Sequence, residues 1–300
     1  MKILLTGANG QVGWELRRAL QPLGQVCAVS RQQLDLCDPD ATIEYVGKIW
    51  PDVIVNAAAY TAVDRAEDEP EAAFAINRDA VAALARASEK CGALLIHYST
   101  DYVFDGSKSA PYLESDAVKP VNVYGQSKLE GEAAIQRSTC DWLVFRTTWV
   151  FASRGQNFVK TMLQLATSSE SLRVVKDQFG APTSARLIAD LTAHAIRGAM
   201  RERDAQTFES ALLNLTASGS TSWHKFAETI FAGAKKRGAD HLLVKEVHAI
   251  PASDYPTKAA RPMNSVLDGT ALEQRFGIYR ADWAEGLDLV LDELFSENRN

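Results

Sequence analysis

The stretch Ile3-Leu4-Leu5-Thr6-Gly7-Ala8-Asn9-Gly10-Gln11-Val12-Gly13 decides the fold of this chain. Ile3 to Thr6 has the pattern of a short buried strand, and Gln11 to Leu20 repeats its apolar residues on one helical face. The glycines between them follow a G-x-x-G-x-x-G spacing, which differs from the common G-x-G-x-x-G fingerprint. Glycines at this place let the backbone turn tightly and approach a pyrophosphate at the helix amino terminus. The stretch therefore predicts a nucleotide site rather than a purely structural turn.

The alternation of strand and helix continues through the first half of the chain. Four more short apolar runs predict strands at Val26 to Ser30, Val53 to Ala57, Leu94 to Ser99 and Leu143 to Phe145. Helical patterns lie between them, one of which begins just after Pro70 and ends near Gly92. Such alternation is typical of a parallel sheet with helices on both faces. We therefore predict an α/β fold with a doubly wound, Rossmann-like parallel sheet.

The second half of the chain has a looser pattern, with helices separated by stretches rich in Pro, Ser and Thr. The length of 300 residues allows about two domains at roughly 150 residues each. One run, Leu212 to Thr216, is apolar enough to belong to the central sheet. We assign residues 1–150, with a returning strand near 211–217, to a dinucleotide-binding domain. Most of 151–300 is assigned to a smaller, interleaved C-terminal substrate domain.

Composition limits the partners that the protein can have. The chain has 32 Lys and Arg against 38 Asp and Glu, a net charge of −6, so no global positive field attracts nucleic acid or an anionic membrane. There is no apolar run of about 20 residues and no signal-peptide layout. The four cysteines are scattered, without disulfide or metal spacing. We expect a cytoplasmic protein, with no nucleic-acid or membrane partner, that meets an anionic ligand at a local site.

The end of the second strand bears on the choice of cofactor. An NAD-specific site has a carboxylate there that bonds the ribose 2′-hydroxyl, whereas this chain has Ser30 and Arg31. A guanidinium suits the geometry of a 2′-phosphate. We predict that the cofactor is NADPH, with NADH as the alternative. Arg31 could also be a solvated surface residue with no role in cofactor binding.

A tyrosine and a lysine stand four residues apart in a helical stretch, at Tyr124 and Lys128. This spacing places both side chains on one helical face. A positive charge about 4 Å from a phenol contributes roughly 4 kcal/mol at an effective dielectric near 20, so we expect Lys128 to lower the pKa of Tyr124 from its usual value near 10. Thr100 follows a predicted strand, where its hydroxyl can bond a carbonyl oxygen as charge develops on it.

Seven motifs follow one another along the chain. They are Gly7 to Gly13 with Trp14-Glu15-Leu16, Asn56 to Asp64, Ser99 to Gly106, Asn122 to Gly125 with Lys128, Phe145 to Val150, Asp177 to Thr183, and Arg261-Pro262 with Asn264-Ser265. In this order they resemble the extended short-chain dehydrogenases, and within that superfamily the dTDP-4-dehydrorhamnose reductase family. The resemblance covers essentially the whole chain.

The resemblance implies hydride transfer from NAD(P)H to the C4 keto group of dTDP-4-dehydro-6-deoxy-L-mannose, giving dTDP-L-rhamnose as the last step of its biosynthesis. It implies three catalytic residues: Tyr124 as proton donor, Lys128 as its partner, and Thr100 at the carbonyl oxygen. The implied cofactor-binding residues are Gly7, Gly10, Gln11, Val12, Gly13, Ser30, Arg31, Asp35, Leu36, Ala59, Tyr60, Thr61, Tyr98, Tyr124 and Lys128. The implied substrate-binding residues are Thr100, Asp101, Trp149 and Arg261.

Two other functions stay open at this point. One is a non-catalytic NADP-binding subunit of the kind that regulates methionine adenosyltransferase, and the other is a different nucleotide-sugar 4-ketoreductase. The related 4,6-dehydratases carry an Asp-Glu pair after the threonine, whereas Thr100 precedes Asp101-Tyr102 here. Because the second carboxylate is missing, we do not expect dehydration.

The resemblance also raises the question of a metal. Some members of the family are magnesium-linked dimers held by glutamates, which this chain matches at Glu15 and Glu293. Arg186 stands where a further glutamate is expected, so a cation already occupies the place of a ligand. We therefore predict no metal site, and a homodimer through another surface stays open.

Overall fold

The core of the molecule is a parallel sheet, seen in a computed structural model that describes residues 1–296. In chain order the strands are β1 (Lys2–Thr6), β2 (Gln25–Ala28), β3 (Val53–Asn56), β4 (Leu94–Thr100), β5 (Trp142–Thr147), β6 (Val150–Phe151), β7 (Ser171–Val175), β8 (Phe179–Gly180), β9 (Thr183–Ser184), β10 (Ala211–Asn214), β11 (Thr221–Ser222), β12 (Glu246–Ile250) and β13 (Asn264–Ser265). Six of them form the central sheet in the order β10-β5-β4-β3-β1-β2, and all its pairings are parallel.

Helices cover both faces of this sheet. They are α1 (Gln11–Ala19), α2 (Pro39–Ile49), α3 (Val63–Ala66), α4 (Pro70–Phe74), α5 (Ala80–Cys91), α6 (Val123–Gln136), α7 (Phe158–Ala166), α8 (Ala185–Asp204), α9 (Trp223–Lys236), α10 (Thr270–Phe276) and α11 (Trp283–Ser296). One face packs against α1 and α8, and the other against α2 and α5. The predicted doubly wound α/β fold is confirmed.

The apolar runs in the strands follow from burial on both faces. Ile3 and Leu5 contribute to the core under α1, while Leu4 between them contributes to the core under α2, and all three are fully buried. Strands covered on both sides need apolar residues at consecutive positions rather than at alternate ones. This explains why short unbroken runs mark the strands of the first half.

The predicted boundaries differ in detail from the structure. β2 ends at Ala28 rather than Ser30, because the Ser30 amide donates to the Gln33 side chain and turns the chain away. The helix expected after Pro70 is interrupted by one π-helical turn at Ala75–Asp79 before it continues as α5. β5 is longer than predicted and runs to Thr147.

The second half of the chain forms a smaller apolar core of its own and also contributes one strand to the central sheet. Its own apolar core lies among α7, α9 and α11 and is rich in aromatic rings. β10 pairs with β5 at the edge of the central sheet, and α8 packs on the first core. The range 151–300 therefore contributes to both cores, and its positions 297–300 lie outside the described residues. Within residues 1–296, no helix combines the length and hydropathy needed to span a membrane.

Candidate active site

A cleft of about 370 Å³ lies at the carboxyl ends of β1, β2 and β3. From β1 the chain runs outward to β2 and then to β3 on the other side, and such a switch point is where doubly wound sheets bind ligands. Gly7 has φ +69°, and a Cβ there would come within 2.5 Å of the Ala57 carbonyl carbon. Only glycine fits this position, which leaves the floor of the cleft as bare backbone.

The structure brings many of the predicted cofactor residues together around this cleft. Those that line it are Gly7, Gly10, Ser30, Arg31, Asp35, Leu36, Ala59 and Tyr60. Seven others are not on its wall, three of which, Tyr98, Tyr124 and Lys128, lie on β4 and α6. Val12 packs into the core, and Thr61 is exposed. The side-chain oxygen of Gln11 accepts a hydrogen bond from the Asn157 side chain at 2.8 Å. Gly13 lies against the Gly7 carbonyl, where a Cβ would collide, so it permits close packing of α1 on β1.

Arg31 stands at the mouth of the cleft. Its side chain is 82% exposed, and its guanidinium lies 3.8 Å from the Asp35 carboxylate, which is too far for a hydrogen bond. The guanidinium therefore keeps its donors free for an anion that enters from the solvent. This geometry suits a 2′-phosphate.

Tyr124 and Lys128 lie on the first turns of α6, beside the end of β4. The helix is capped by Asn122, whose side-chain oxygen accepts from the Gly125 amide at 2.8 Å. A Cβ on Gly125 would collide with the Tyr102 carbonyl, so this glycine lets the helix approach the loop after β4. The Tyr124 phenol then faces the Thr100 hydroxyl.

The pKa of Tyr124 corrects one expectation from the sequence. Burial raises this pKa above its usual value, and the contact with Thr100 offsets only part of the shift. Lys128 does not lower it here, because its own Nζ donates to the Tyr98 carbonyl at 2.6 Å and lies 3.1 Å from His97 Nε2. Burial also lowers the pKa of Lys128, to about 8. Tyr124 is therefore neutral at physiological pH, whereas Lys128 is mostly protonated below pH 8.

Asp101 is a buried carboxylic acid next to this pair, with 3% of its surface exposed. Its Oδ1 accepts from the Thr100 hydroxyl at 3.1 Å. Burial raises its pKa to about 6, although the nearby hydroxyls of Ser265 and Thr148 partly oppose the shift. Its Oδ2 has no full hydrogen bond within residues 1–296. Asp101 thus has a free oxygen for a ligand and titrates just below neutral pH.

Trp149 and Arg261, the other predicted substrate residues, each already contact neighbouring side chains in this structure. Trp149 has a left-handed backbone, with φ 46°, and its ring stacks on Trp223 with centroids 3.4 Å apart. Arg261 donates to Asp64 at 2.6 Å and to the Tyr102 hydroxyl at 3.0 Å. Arg261 therefore connects the second half of the chain to the loop after β4, and its charge is already paired in this structure.

Tyr98 contributes through its backbone rather than through its side chain. Its hydroxyl bonds Thr192 at 2.8 Å and its ring packs on Phe145, both away from the cleft. One residue that the sequence did not single out as functional, His97, lies 3.1 Å from Lys128, and Asn56 contacts the other ring nitrogen of His97. The place of His97 in an apolar strand gives no functional signal in the sequence.

The sheet, the bare glycine turn and the buried Thr-Tyr-Lys group define the class: a dinucleotide-binding oxidoreductase of the short-chain dehydrogenase type. A family model described as the RmlD substrate binding domain matches residues 1–296. The dTDP-4-dehydrorhamnose reductase of Burkholderia thailandensis is 54% identical over 298 residues, which cover 99% of this chain and 100% of that protein. This chain belongs to the dTDP-4-dehydrorhamnose reductase family.

Solved structures agree with this assignment. The dTDP-4-dehydrorhamnose reductase of Clostridium acetobutylicum matches with a TM-score of 0.88 at 35% identity, covering 98% of this chain and 99% of that one. The Bacillus anthracis reductase, in complex with NADP, matches with a TM-score of 0.86 at 32% identity, covering 97% and 99%.

The magnesium found in some members of the family does not fit this chain. The Arg186 guanidinium forms an ion pair with Glu293 and lies 3.5 Å from Glu15. Within residues 1–296 no group of three or more His, Cys, Asp and Glu side chains is arranged to hold a metal ion. The Arg186 guanidinium therefore lies between the two carboxylates, and Arg18 pairs with Glu15 as well at 3.3 Å.

Proposed function

We propose that this protein reduces the C4 carbonyl of dTDP-4-dehydro-6-deoxy-L-mannose to the alcohol of dTDP-L-rhamnose, with NADPH as the hydride donor. The observation that carries the proposal is the meeting of Thr100, Tyr124 and Lys128 at the end of β4, in a chain whose full length matches these reductases. Bound NADPH supplies the hydride that forms the new C4–H bond. All other steps belong to side chains of this protein.

Tyr124 is the proton donor in this proposal. A phenol with a raised pKa stays protonated at neutral pH, so it holds the proton that the substrate oxygen needs as the C4–H bond forms. The neighbouring Thr100 hydroxyl stabilises the negative charge that develops on that oxygen. Lys128 holds the cofactor and is mostly positively charged at neutral pH, because its pKa of about 8 lies above 7.

The residues around the cleft would hold NADPH. The backbone of Gly7 and Gly10 approaches the pyrophosphate at the start of α1, and Arg31 meets the 2′-phosphate. Asp35 and Leu36 border the adenine, while Ala59 and Tyr60 form the opposite wall. Gln11, Val12, Gly13, Thr61 and Tyr98 act through backbone or packing, because their side chains do not line the cleft.

The substrate binds where the two parts of the chain meet. We assign the cofactor to residues 1–150 with the returning strand near 211–217, and the sugar nucleotide to most of 151–300. Asp101 offers the unpaired Oδ2 to a sugar hydroxyl, and Trp149 presents a ring to the sugar. Arg261 meets the phosphates of the nucleotide by exchanging its contact with Asp64 for them. We place this activity in the cytoplasm, and a homodimer remains open.

The direct test supplies the purified protein with NADPH and the 4-keto sugar nucleotide and follows NADPH oxidation. We expect turnover and dTDP-L-rhamnose as product. Tyr124→Phe should lower kcat by about 10²- to 10⁴-fold without changing NADPH affinity, because it removes only the transferable proton. Tyr98→Phe is the matched control, since it removes a buried phenol oxygen that bonds Thr192 instead. NADP(H) binding without turnover would instead favour the regulatory subunit.

A further inference from the structure

A short loop from the second half of the chain lies against the start of α1. It comprises residues 152–157 and joins β6 to α7. Asn157 Nδ2 donates to Gln11 Oε1 at 2.8 Å, and a Cβ on Gly155 would come within 2.9 Å of Gln11 Cγ. The hydrogen bond between Gln11 and Asn157 is called the clasp below. It connects the helix that follows the glycine turn to a loop of the other half of the chain.

Further contacts hold this loop between two helices. The guanidinium carbon of Arg154 lies 3.7 Å from the centroid of the Trp14 ring on α1. The Ser153 hydroxyl donates to Glu293 Oε2 on α11 at 2.6 Å. Because α1 packs on the first apolar core and α11 on the second, the loop joins the two cores.

The direction of the clasp is fixed by the neighbours of Asn157. Its Oδ1 accepts from the Lys160 amide at 3.2 Å and so caps α7, while its Nδ2 also donates to the Ala152 carbonyl at 2.8 Å. A backbone amide can only donate, so the NH₂ group of Asn157 must face Gln11. Gln11 accepts with its side-chain oxygen, which leaves its own NH₂ group 3.5 Å from the Gln156 carbonyl oxygen.

Gln11 is also the first residue of α1. Trp14 is the first residue whose amide donates along this helix, to the Gly10 carbonyl at 2.9 Å. The amides of residues 11–13 therefore need an acceptor from outside the helix, and Gly10 has no side chain that could supply one. A pyrophosphate is such an acceptor at this place. Gln11 thus meets the cofactor with its backbone and the loop with its side chain.

The other end of the loop leads directly to Trp149. Only the two residues of β6 separate Trp149 from the loop, and β6 pairs with β9. Phe151, the second of them, is 1% exposed and packs in the second core. A strand this short and this well packed leaves little freedom for the loop and Trp149 to move independently.

We propose that Gln11 and Asn157 are positioning residues through which bound NADPH orders the loop and Trp149, so that the sugar nucleotide binds more tightly. This step rests on the proposed function. The pyrophosphate caps α1 and fixes Gln11, and a loop that is already ordered costs less conformational entropy when the sugar binds. One neutral hydrogen bond is worth about two- to tenfold in an equilibrium constant. We therefore expect NADPH to tighten sugar-nucleotide binding by about fivefold, and by linkage the reverse effect is equal.

The first test needs only NADPH. Amide hydrogen exchange, followed by mass spectrometry, is compared with and without saturating NADPH in a peptide that covers residues 150–157. We expect NADPH to slow exchange there by about two- to fivefold in the parent protein. Gln11→Met keeps the side-chain length but removes the acceptor, and Asn157→Ser keeps a cap for α7 but is too short to reach Gln11. Both variants should lose the slowing when they are saturated with NADPH.

The second test measures the coupling by calorimetric titration of dTDP-L-rhamnose with and without NADPH. Both ligands are reduced, so no hydride can pass between them. We expect the Kd to fall about fivefold with NADPH in the parent protein and less than twofold in either variant. The Kd without NADPH should stay within about twofold of the parent value, which general damage to the fold would not allow.

Two controls separate the clasp from other effects. The double variant should lose no more coupling than either single variant, because both remove the same contact. Gln164→Met, at an exposed glutamine on α7, should keep both the slowed exchange and the coupling.

Slowed exchange that persists in both variants overturns the proposal, since NADPH would then act on the loop without the clasp. Exchange that NADPH leaves unchanged in the parent protein overturns it too, as does an equal coupling factor in the parent protein and the variants. If dTDP-L-rhamnose does not bind the parent protein, the proposed substrate is wrong, and the exchange of residues 150–157 still decides the clasp.

Discussion

The Arg146 guanidinium and the Glu132 carboxylate form a two-bond ion pair in the interior, with Nε–Oε1 at 2.9 Å and Nη2–Oε2 at 2.6 Å. The two side chains are 4% and 1% exposed. The pair joins β5 to α6, one turn beyond Lys128. It therefore fixes the helix that carries the proton donor to the sheet.

Removing one partner of this pair should be costly. Arg146→Met leaves a buried carboxylate without its cation, and we expect a loss of about 3–5 kcal/mol in the free energy of unfolding, measured by urea denaturation. Lys245→Met removes a partner of the exposed Lys245–Glu170 pair and should cost about 1 kcal/mol or less. Equal losses for the two variants would contradict the account.

Asp101 predicts an unusual dependence of stability on pH. Its folded pKa of about 6 lies above the ordinary 3.8, so the folded state keeps the proton longer than the unfolded state does. Stability contributed by the neutral acid is present below pH 3.8 and is lost as pH rises toward 6. Asp101→Asn has no titrating group at this position, so its free energy of unfolding should not show this decrease. The difference in free energy of unfolding between the variant and the parent should grow in favour of the variant by at most about 3 kcal/mol as pH rises from 3.8 to about 6.

The control for Asp101 is Asp105, four residues along the same segment. Hydrogen bonds, chiefly from the Ser107 amide, lower the pKa of Asp105, so Asp105→Asn should lose stability relative to the parent as pH rises. Thermal denaturation at a series of pH values compares the two. A gap between Asp101→Asn and the parent that stays constant with pH would show that Asp101 does not titrate as described.

We predict that Arg31 sets the cofactor preference. Arg31→Asp puts a carboxylate where the 2′-phosphate is expected, and repulsion should reverse the preference from NADPH to NADH, seen as a change in the ratio of kcat/KM for the two cofactors. Arg86→Asp, at an exposed arginine on α5, should leave the ratio unchanged. An unaltered ratio in Arg31→Asp would mean that Arg31 is a solvated surface residue.

We predict that the protein works without a divalent metal. A chelator should change neither the activity, nor the melting temperature, nor the size in solution, because Arg186 and Arg18 already pair with Glu15 and Glu293. Arg186→Gln should lower the melting temperature, since the Glu15 side chain is only 11% exposed. Loss of activity and a change in size on chelation would show that a metal is needed after all.

The sheet and the glycine turn could be predicted because their signals are local. Strand β1 is buried on both faces, and its consecutive apolar residues indicate this burial in the sequence. The turn after it requires φ +69°, and the glycine at position 7 indicates that turn. The place of Thr100 at the same edge as the glycine turn followed from the rule that the carboxyl ends of parallel strands meet there, whereas its grouping with Tyr124 was implied by the family resemblance. These features need no knowledge of distant contacts.

The electrostatics of the site could not be predicted, because they depend on residues far apart in sequence. The pKa of Asp101 reflects the depth of its burial and the hydroxyls of Ser265 on β13 and of Thr148 just after β5. The expected effect of Lys128 on Tyr124 was wrong for this structure, since burial of both groups and the contacts of Lys128 with Tyr98 and His97 outweigh it. The spacing of two residues along a helix predicts that their side chains are close, but not how far burial shifts their pKa values.

The most direct test of the central claim uses NADPH carrying deuterium at the transferable position of its nicotinamide ring, with the 4-keto sugar nucleotide as substrate. The account predicts one deuterium at C4 of the product sugar, located by NMR, and formation of the same deuterated product by Tyr124→Phe at a rate about 10²- to 10⁴-fold lower. Consumption of the substrate with no deuterium at C4, or NADPH binding with no transfer at all, would contradict it.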